Sequence, residues 1–150
     1  MALVEFDMRT SLPPEKVVGM LTDFSERRPD IWPGLWQGAY HVYSVQDTTA
    51  EVREGNRTPK IWARERYDWS TPGMVRWEVL ESNFCKPGSS VEARVAPADG
   101  GGSTVHVRWN RIPTTLSARL VALLVVLTRG GPVKASLNAA FKRAEGQATA

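Results

Sequence analysis

IWARERYDWSTPGMVRWEVLE, residues 61–81, reads as two strands joined by a tight turn. The strands are Ile61–Ser70 and Met74–Glu81, and Thr71-Pro72-Gly73 lies between them. Proline presets φ at the turn and glycine accepts the positive φ that a tight reversal needs. Side chains alternate between faces along a strand. Ile61, Ala63, Glu65, Tyr67 and Trp69 therefore share one face, and Val75, Trp77 and Val79 share the matching face. Trp62, Arg64, Arg66 and Asp68 take the opposite side. One apolar face and one charged face describe a half-buried antiparallel pair.

The same pattern extends outward. Ser89–Val95 turns Val91, Ala93 and Val95 inward. Thr104–Arg111 turns Val105, Val107, Trp109 and Arg111 inward, after the tight turn Asp99-Gly100-Gly101-Gly102. Upstream, Ala39–Val45 and Ala50–Glu54 are bounded by Gln46-Asp47 and Gly55-Asn56. Leu3–Thr10 sets Val4, Phe6 and Met8 against Glu5, Asp7 and Arg9, which makes it the first strand. Short turns between successive strands predict an antiparallel meander.

Helical spacing appears in two places. After the first strand, Ser11-Leu12-Pro13-Pro14-Glu15 gives a helix start with Ser11 as cap and the prolines in the first turn. Val17, Val18, Leu21 and Phe24 follow at helical spacing, and a short second turn is expected over Asp30–Leu35. After Pro113 a helix is predicted from Leu116 to Thr128, capped by Thr115 or Ser117. Arg129-Gly130-Gly131-Pro132 interrupts it. A final helix then sets Val133, Leu137, Ala140, Phe141 and Ala144 against Lys134, Asn138, Lys142 and Glu145. The expected fold is α+β of the helix-grip kind: a curved seven-stranded antiparallel sheet wrapped around a C-terminal helix, with two short helices after strand 1. One domain is expected over residues 1–146, with 147–150 as a tail.

Composition narrows the function. Of 150 residues, 42% are apolar and 23% charged, as in an ordinary globular domain. Six tryptophans need a core or a cavity wall. Cys85 is the only cysteine, so no internal disulfide forms. With no basic stretch and apolar run at the N-terminus, a cytoplasmic location is expected. A net charge of +3 with scattered cations argues against nucleic acid. The two histidines and Cys85 lack ligand spacing, so no metal is expected. No phosphate loop, dinucleotide fingerprint or G-x-S-x-G is present, and no cofactor is expected.

Ser11-Leu12-Pro13-Pro14-Glu15-Lys16-Val17 after the first strand, Asp23-Phe24 followed by Trp32-Pro33, and the amphipathic last helix together resemble the START-like (SRPBCC) superfamily. That superfamily includes polyketide cyclases, birch-pollen-type plant allergens and coenzyme Q-binding proteins. The resemblance implies a cavity between sheet and terminal helix. It implies a lipid, isoprenoid, steroid or polyketide as ligand, and in some members cyclisation or dehydration. The apolar helix 116–128 before the last one departs from the pattern.

Glu65 is the most informative position. A carboxylate on an apolar face is costly unless paired or neutralised. Arg111, inward on the last strand, is its expected partner. The pair reads either as an acid/base or ligand anchor, or as a structural ion pair, with a hydrogen bond to Tyr67 or backbone as a further structural option. Candidate catalytic residues are Glu65, Tyr67 and Arg111. Candidate ligand contacts are Tyr43, Glu65, Tyr67, Trp69, Trp77, Trp109, Arg111 and Leu124. His106 faces outward by parity, and Trp62 on the outer face covers a sheet edge or marks a dimer contact. The favoured function is a carrier or sensor for an apolar small molecule. The alternatives are a polyketide cyclase or dehydratase, and a docking module using Trp62 and helix 116–127 against a protein or membrane. A homodimer and a transient membrane contact are candidate associations. Gly130-Gly131 reads as a hinge that lets the apolar helix act as a lid, with a core cap or a dimer contact as the plainer alternatives.

Overall fold

The computed structural model describes Ala2–Ala148. Its elements are β1 (Ala2–Thr10), α1 (Pro14–Leu21), α2 (Arg28–Ile31), a single 3-10 turn (Gln37–Ala39), β2 (His41–Val45), β3 (Thr49–Asn56), β4 (Ile61–Asp68), β5 (Met74–Ser82), β6 (Ser90–Pro97), β7 (Ser103–Arg111), α3 (Leu116–Leu127) and α4 (Gly131–Ala148). One seven-stranded antiparallel sheet has the order β1-β7-β6-β5-β4-β3-β2. The meander is unbroken from β2 to β7, and β1 closes it by pairing with β7.

Strand parity sets the core. Val75, Val91, Ala93, Val105 and Val107 are all buried on the inner face. α1 adds Val17 and Leu21, and α4 adds Leu137, Ala140 and Phe141. In the β4–β5 hairpin Tyr67 stands opposite Trp77. Toward its far end Arg64 pairs with Glu81 and Glu65 with Val79, so Leu80 is an extra residue in a bulge and is largely exposed. Because the extra residue is on β5, β4 alternates without interruption and Ala63 and Glu65 stay on its buried side.

Four local expectations change. Ser11 does not cap α1, which starts from Pro13 with no side-chain cap. The Ser11 N–H and the Thr10 hydroxyl donate instead to Glu145 Oε1, at 3.0 and 2.8 Å, and tie the end of β1 to α4. The second helical turn forms earlier, at Arg28–Ile31, because Trp32 precedes Pro33 and is forced into extended backbone, ψ 111°. α4 stays helical to Ala148, past the start of the expected tail, and residues 149–150 lie outside the described residues. At α3 the cap is as expected: the Thr115 hydroxyl accepts from the Ala118 N–H at 3.1 Å.

The fourth change is at the α3–α4 junction. The two helices meet at 81°. Gly130 is buried at φ 88°, and a Cβ there would fall 2.4 Å from Phe6 Cδ1. Its backbone is wedged against the Phe6 ring of β1, so the junction is a packed corner where an open glycine hinge was expected. Gly130→Ala should therefore cost about 1–3 kcal/mol, from the left-handed backbone and the displaced ring. Urea unfolding with an unchanged midpoint would contradict this.

Candidate functional site: a cavity with two ion pairs

The inner face of β3–β7, the chain at Trp32–Leu35 and the first turns of α4 enclose a cavity of 240 Å³. Trp77, Val91 and Trp109 form the apolar wall of the sheet, and Val133 and Leu137 come from α4. The alternation on β4 brings Ala63, Glu65 and Tyr67 to the same surface. On β3 the same alternation turns Ala50, Val52 and Glu54 inward, with Glu54 opposite Ala63 and Val52 opposite Glu65.

Two ion pairs sit in this wall. Arg111 Nη1 lies 2.9 Å from Glu65 Oε1, and both side chains are nearly sealed from solvent. Arg28 Nε donates to Glu54 Oε1 at 2.5 Å. Arg28 also donates to Leu21 O at 3.1 Å, to Asp23 O at 3.0 Å and to the Tyr67 hydroxyl at 3.1 Å. The Tyr67 hydroxyl in turn donates to Glu54 Oε2 at 2.9 Å. The Arg28 guanidinium lies 4.6 Å from the Phe24 ring centroid, and Tyr67 stacks on Trp77 at 5.3 Å.

Burial governs the charges. It pushes the Glu65 carboxyl above its ordinary value, against the opposing pull of Arg111. It works against the Arg111 and Arg28 cations, but the facing carboxylates outweigh it and hold both guanidiniums above their usual range. Tyr67 is pushed well above 10, first by burial and then by Glu54, so its phenol keeps its proton.

One donor in the cavity wall is unspent. Trp32 Nε1 is buried with no hydrogen-bond partner. Arg111 Nη1, by contrast, is held by the Glu65 carboxylate.

Five of the candidate residues, Glu65, Tyr67, Trp77, Trp109 and Arg111, line this one cavity. Tyr67 does not bond Glu65, as sequence parity had allowed, but belongs to the Arg28–Glu54 cluster. Tyr43, Trp69 and Leu124 lie outside. Tyr43 is 45% exposed on the outer face of edge strand β2, beside His41 and under Arg64. Trp69 lies just past the end of β4 and packs against Phe24, ring centroids 5.9 Å apart. Leu124 is 51% exposed on α3. Trp62 faces outward and is half-covered by the Arg53 guanidinium, 4.2 Å from its ring. His106 faces outward between Asp7 at 2.8 Å and Glu5 at 3.6 Å. Arg28 and Glu54 were missed, and Trp32, which the helical spacing turned inward, was not recognised as a cavity residue. Glu54 was visible in principle, since it alternates with Ala50 and Val52 as Glu65 does with Ala63 and Tyr67.

A smaller apolar pouch of 140 Å³ adjoins, under α3. It shares Ile61, Phe84, Trp109 and Arg111 with the main cavity and is closed by Val121 and Ala122.

No family model and no curated protein sequence matches the chain. Solved structures do. A protein from Thermus thermophilus superposes with TM-score 0.76 at 17% identity, covering 97% of this chain and 98% of that one. The Zhui aromatase/cyclase from Streptomyces gives TM-score 0.75 at 19% identity, over 95% and 93%. A START superfamily protein from Mycobacterium smegmatis gives TM-score 0.77 at 10% identity, over 98% and 99%. The chain has the START-like, helix-grip fold.

Proposed function

We propose that the cavity binds one apolar small molecule bearing an acceptor oxygen, of lipid, isoprenoid or polyketide-like character, and that the protein is its carrier or sensor. The observation that carries this is the unspent donor Trp32 Nε1, set in a wall otherwise rich in Trp77, Trp109, Ile61 and Val91. A buried donor without a partner costs about 1–3 kcal/mol. A ligand carbonyl or hydroxyl placed between apolar rings would recover that energy. The wall is mostly apolar with a few fixed polar groups, which is the usual make-up of a small-molecule site. At 240 Å³ the cavity is slightly under the customary range of about 300–1,000 Å³, and joining the adjoining pouch brings it inside.

Trp32, Trp77 and Trp109 all line the cavity, so filling it should change tryptophan emission. Titration with a fatty acid, a sterol and an aromatic polyketide mimic is expected to show this for at least one, with displacement of a bound apolar dye. Trp32→Phe should weaken a carbonyl-bearing ligand about tenfold and leave its hydrocarbon analogue unchanged. Equal losses for both, or no displacement by any ligand, would remove the basis of the reading.

One observation favours a second reading, a cyclase or dehydratase. Glu65 and Tyr67 both face the cavity with their proton affinity raised by burial, as a proton donor requires. The Zhui aromatase/cyclase shares the fold. Both groups are nonetheless engaged, Glu65 by Arg111 and Tyr67 by Glu54 and Arg28, and this favours binding over catalysis. Turnover of a poly-β-keto thioester mimic, lost in Glu65→Gln while ligand affinity persists, would reverse the preference.

A further inference from the structure

The most unusual surface is not the cavity but α3. Of its residues only Ala122 and Val125 are buried, against β1 and α4. The ridge opposite them is made of leucine: Leu116 is 74% exposed, Leu120 60%, Leu123 53%, Leu124 51% and Leu127 71%. At 100° per residue these five project away from the body along the whole helix, with Val121 and Val126 on the flanks. An apolar face this continuous marks an interaction surface.

Charge says what it meets. α3 carries Arg119 and no Asp or Glu, and Arg129 follows it. Arg119 lies on the flank of the leucine ridge and Arg129 just past its end, both exposed. Two copies packed ridge to ridge would gather their Arg119 and Arg129 with no acid on either helix to neutralise them. An anionic lipid surface accepts both the leucines and the arginines.

Length fixes the orientation. Twelve residues of helix reach about 18 Å, short of the roughly 30 Å of a bilayer core. α3 and α4 together have the length and apolarity of a span, but they are bent by 81° and α4 buries Leu137 and Phe141 in the core. A helix of this length and packing can lie along an interface but is too short to cross a bilayer.

We infer that α3 docks the protein on anionic bilayer surfaces, its leucine ridge sunk among the acyl chains and Arg119 and Arg129 reaching the lipid phosphates. This stands whether or not the cavity takes the ligand proposed above.

The test is co-flotation of the full chain with vesicles of phosphatidylcholine alone and of phosphatidylcholine with about 30% phosphatidylglycerol. The parent is expected to float with the anionic vesicles at least tenfold more tightly than with the neutral ones. Leu120→Ser/Leu127→Ser should weaken flotation about tenfold or more, with an unchanged melt because both residues are exposed. Arg119→Gln/Arg129→Gln should remove the preference for anionic lipid. No flotation with either vesicle, or equal flotation of the leucine variant, would overturn the inference. A dimer that the leucine variant splits, with no flotation, would assign the ridge to a second copy instead.

Discussion

Glu65→Gln is expected to destabilise the protein by about 3–5 kcal/mol at neutral pH, out of proportion to the loss of one charge. The Glu65 side chain is 5% exposed and Arg111 14%, so the pair is held in low dielectric. Glutamine keeps the size but leaves the guanidinium facing a neutral amide, and a guanidinium cannot shed its proton to escape. Arg111→Met should cost less, because the stranded carboxyl can take up a proton. The sign follows from the raised affinity of Glu65 in the folded state. With its folded pKa above the unfolded value of about 4.3, the folded protein holds the proton more tightly. Arg111→Met removes the main cation that opposes this shift, with Arg28 left as the weaker one, so the variant is most stable below about pH 4.3. It loses stability as pH climbs to the folded pKa, beyond which the penalty is constant. Glu65→Leu/Arg111→Met removes both charges and should be neutral or more stable than the parent. Urea unfolding of the three variants across this pH range checks the ordering. An unchanged midpoint for Glu65→Gln would mean that water reaches the pair.

Much of this was legible because β-strand alternation is a strict code. Two-residue periodicity put Glu65, Trp77, Trp109 and Arg111 on one surface, and the meander brought that surface together. The Leu80 bulge did not scramble the pattern, because the extra residue lies on β5 beyond Val79 and leaves β4 in phase. Where the code failed, the environment differed from a central strand. β2 is an edge, so the face of Tyr43 meets solvent and the Arg64 side chain instead of a core. Trp69 sits past the last paired residue of β4 and packs against the core beside Phe24, away from the cavity lining. Arg28 has no periodic neighbour that could announce its burial, since its partners are a carbonyl at the end of α1, a loop carbonyl and two residues of distant strands. The apolarity of α3 was plain in the sequence, but periodicity could not say that the junction at Gly130 would hold most of it away from the core.

Arg28 carries the second large effect. It is 4% exposed and serves four acceptors on four segments: Leu21 O at the end of α1, Asp23 O in the loop, Glu54 on β3 and the Tyr67 hydroxyl on β4. Because α2 begins at Arg28, this one side chain fastens the loop bearing Trp32, Pro33 and Leu35 to the sheet, and these residues wall the cavity. Arg28→Met fills the volume but leaves two carbonyls and the Tyr67 oxygen without a donor, and Glu54 without its cation. A loss of about 3–5 kcal/mol is expected, as for other broken buried pairs. Arg28→Lys should recover only a small part of it, because a single ammonium cannot reach acceptors spread around a planar fork. Function should fail with stability. Ligand affinity is expected to fall more than tenfold even where the variant is fully folded, because the loop wall is no longer pinned and must be ordered on binding. Amide hydrogen exchange gives the local readout: residues 22–35 should lose protection in Arg28→Met while the β5–β7 amides keep theirs. Uniform loss across the sheet would show that Arg28 supports the whole fold and not the wall in particular, and unchanged affinity in a folded variant would separate the wall from the binding site.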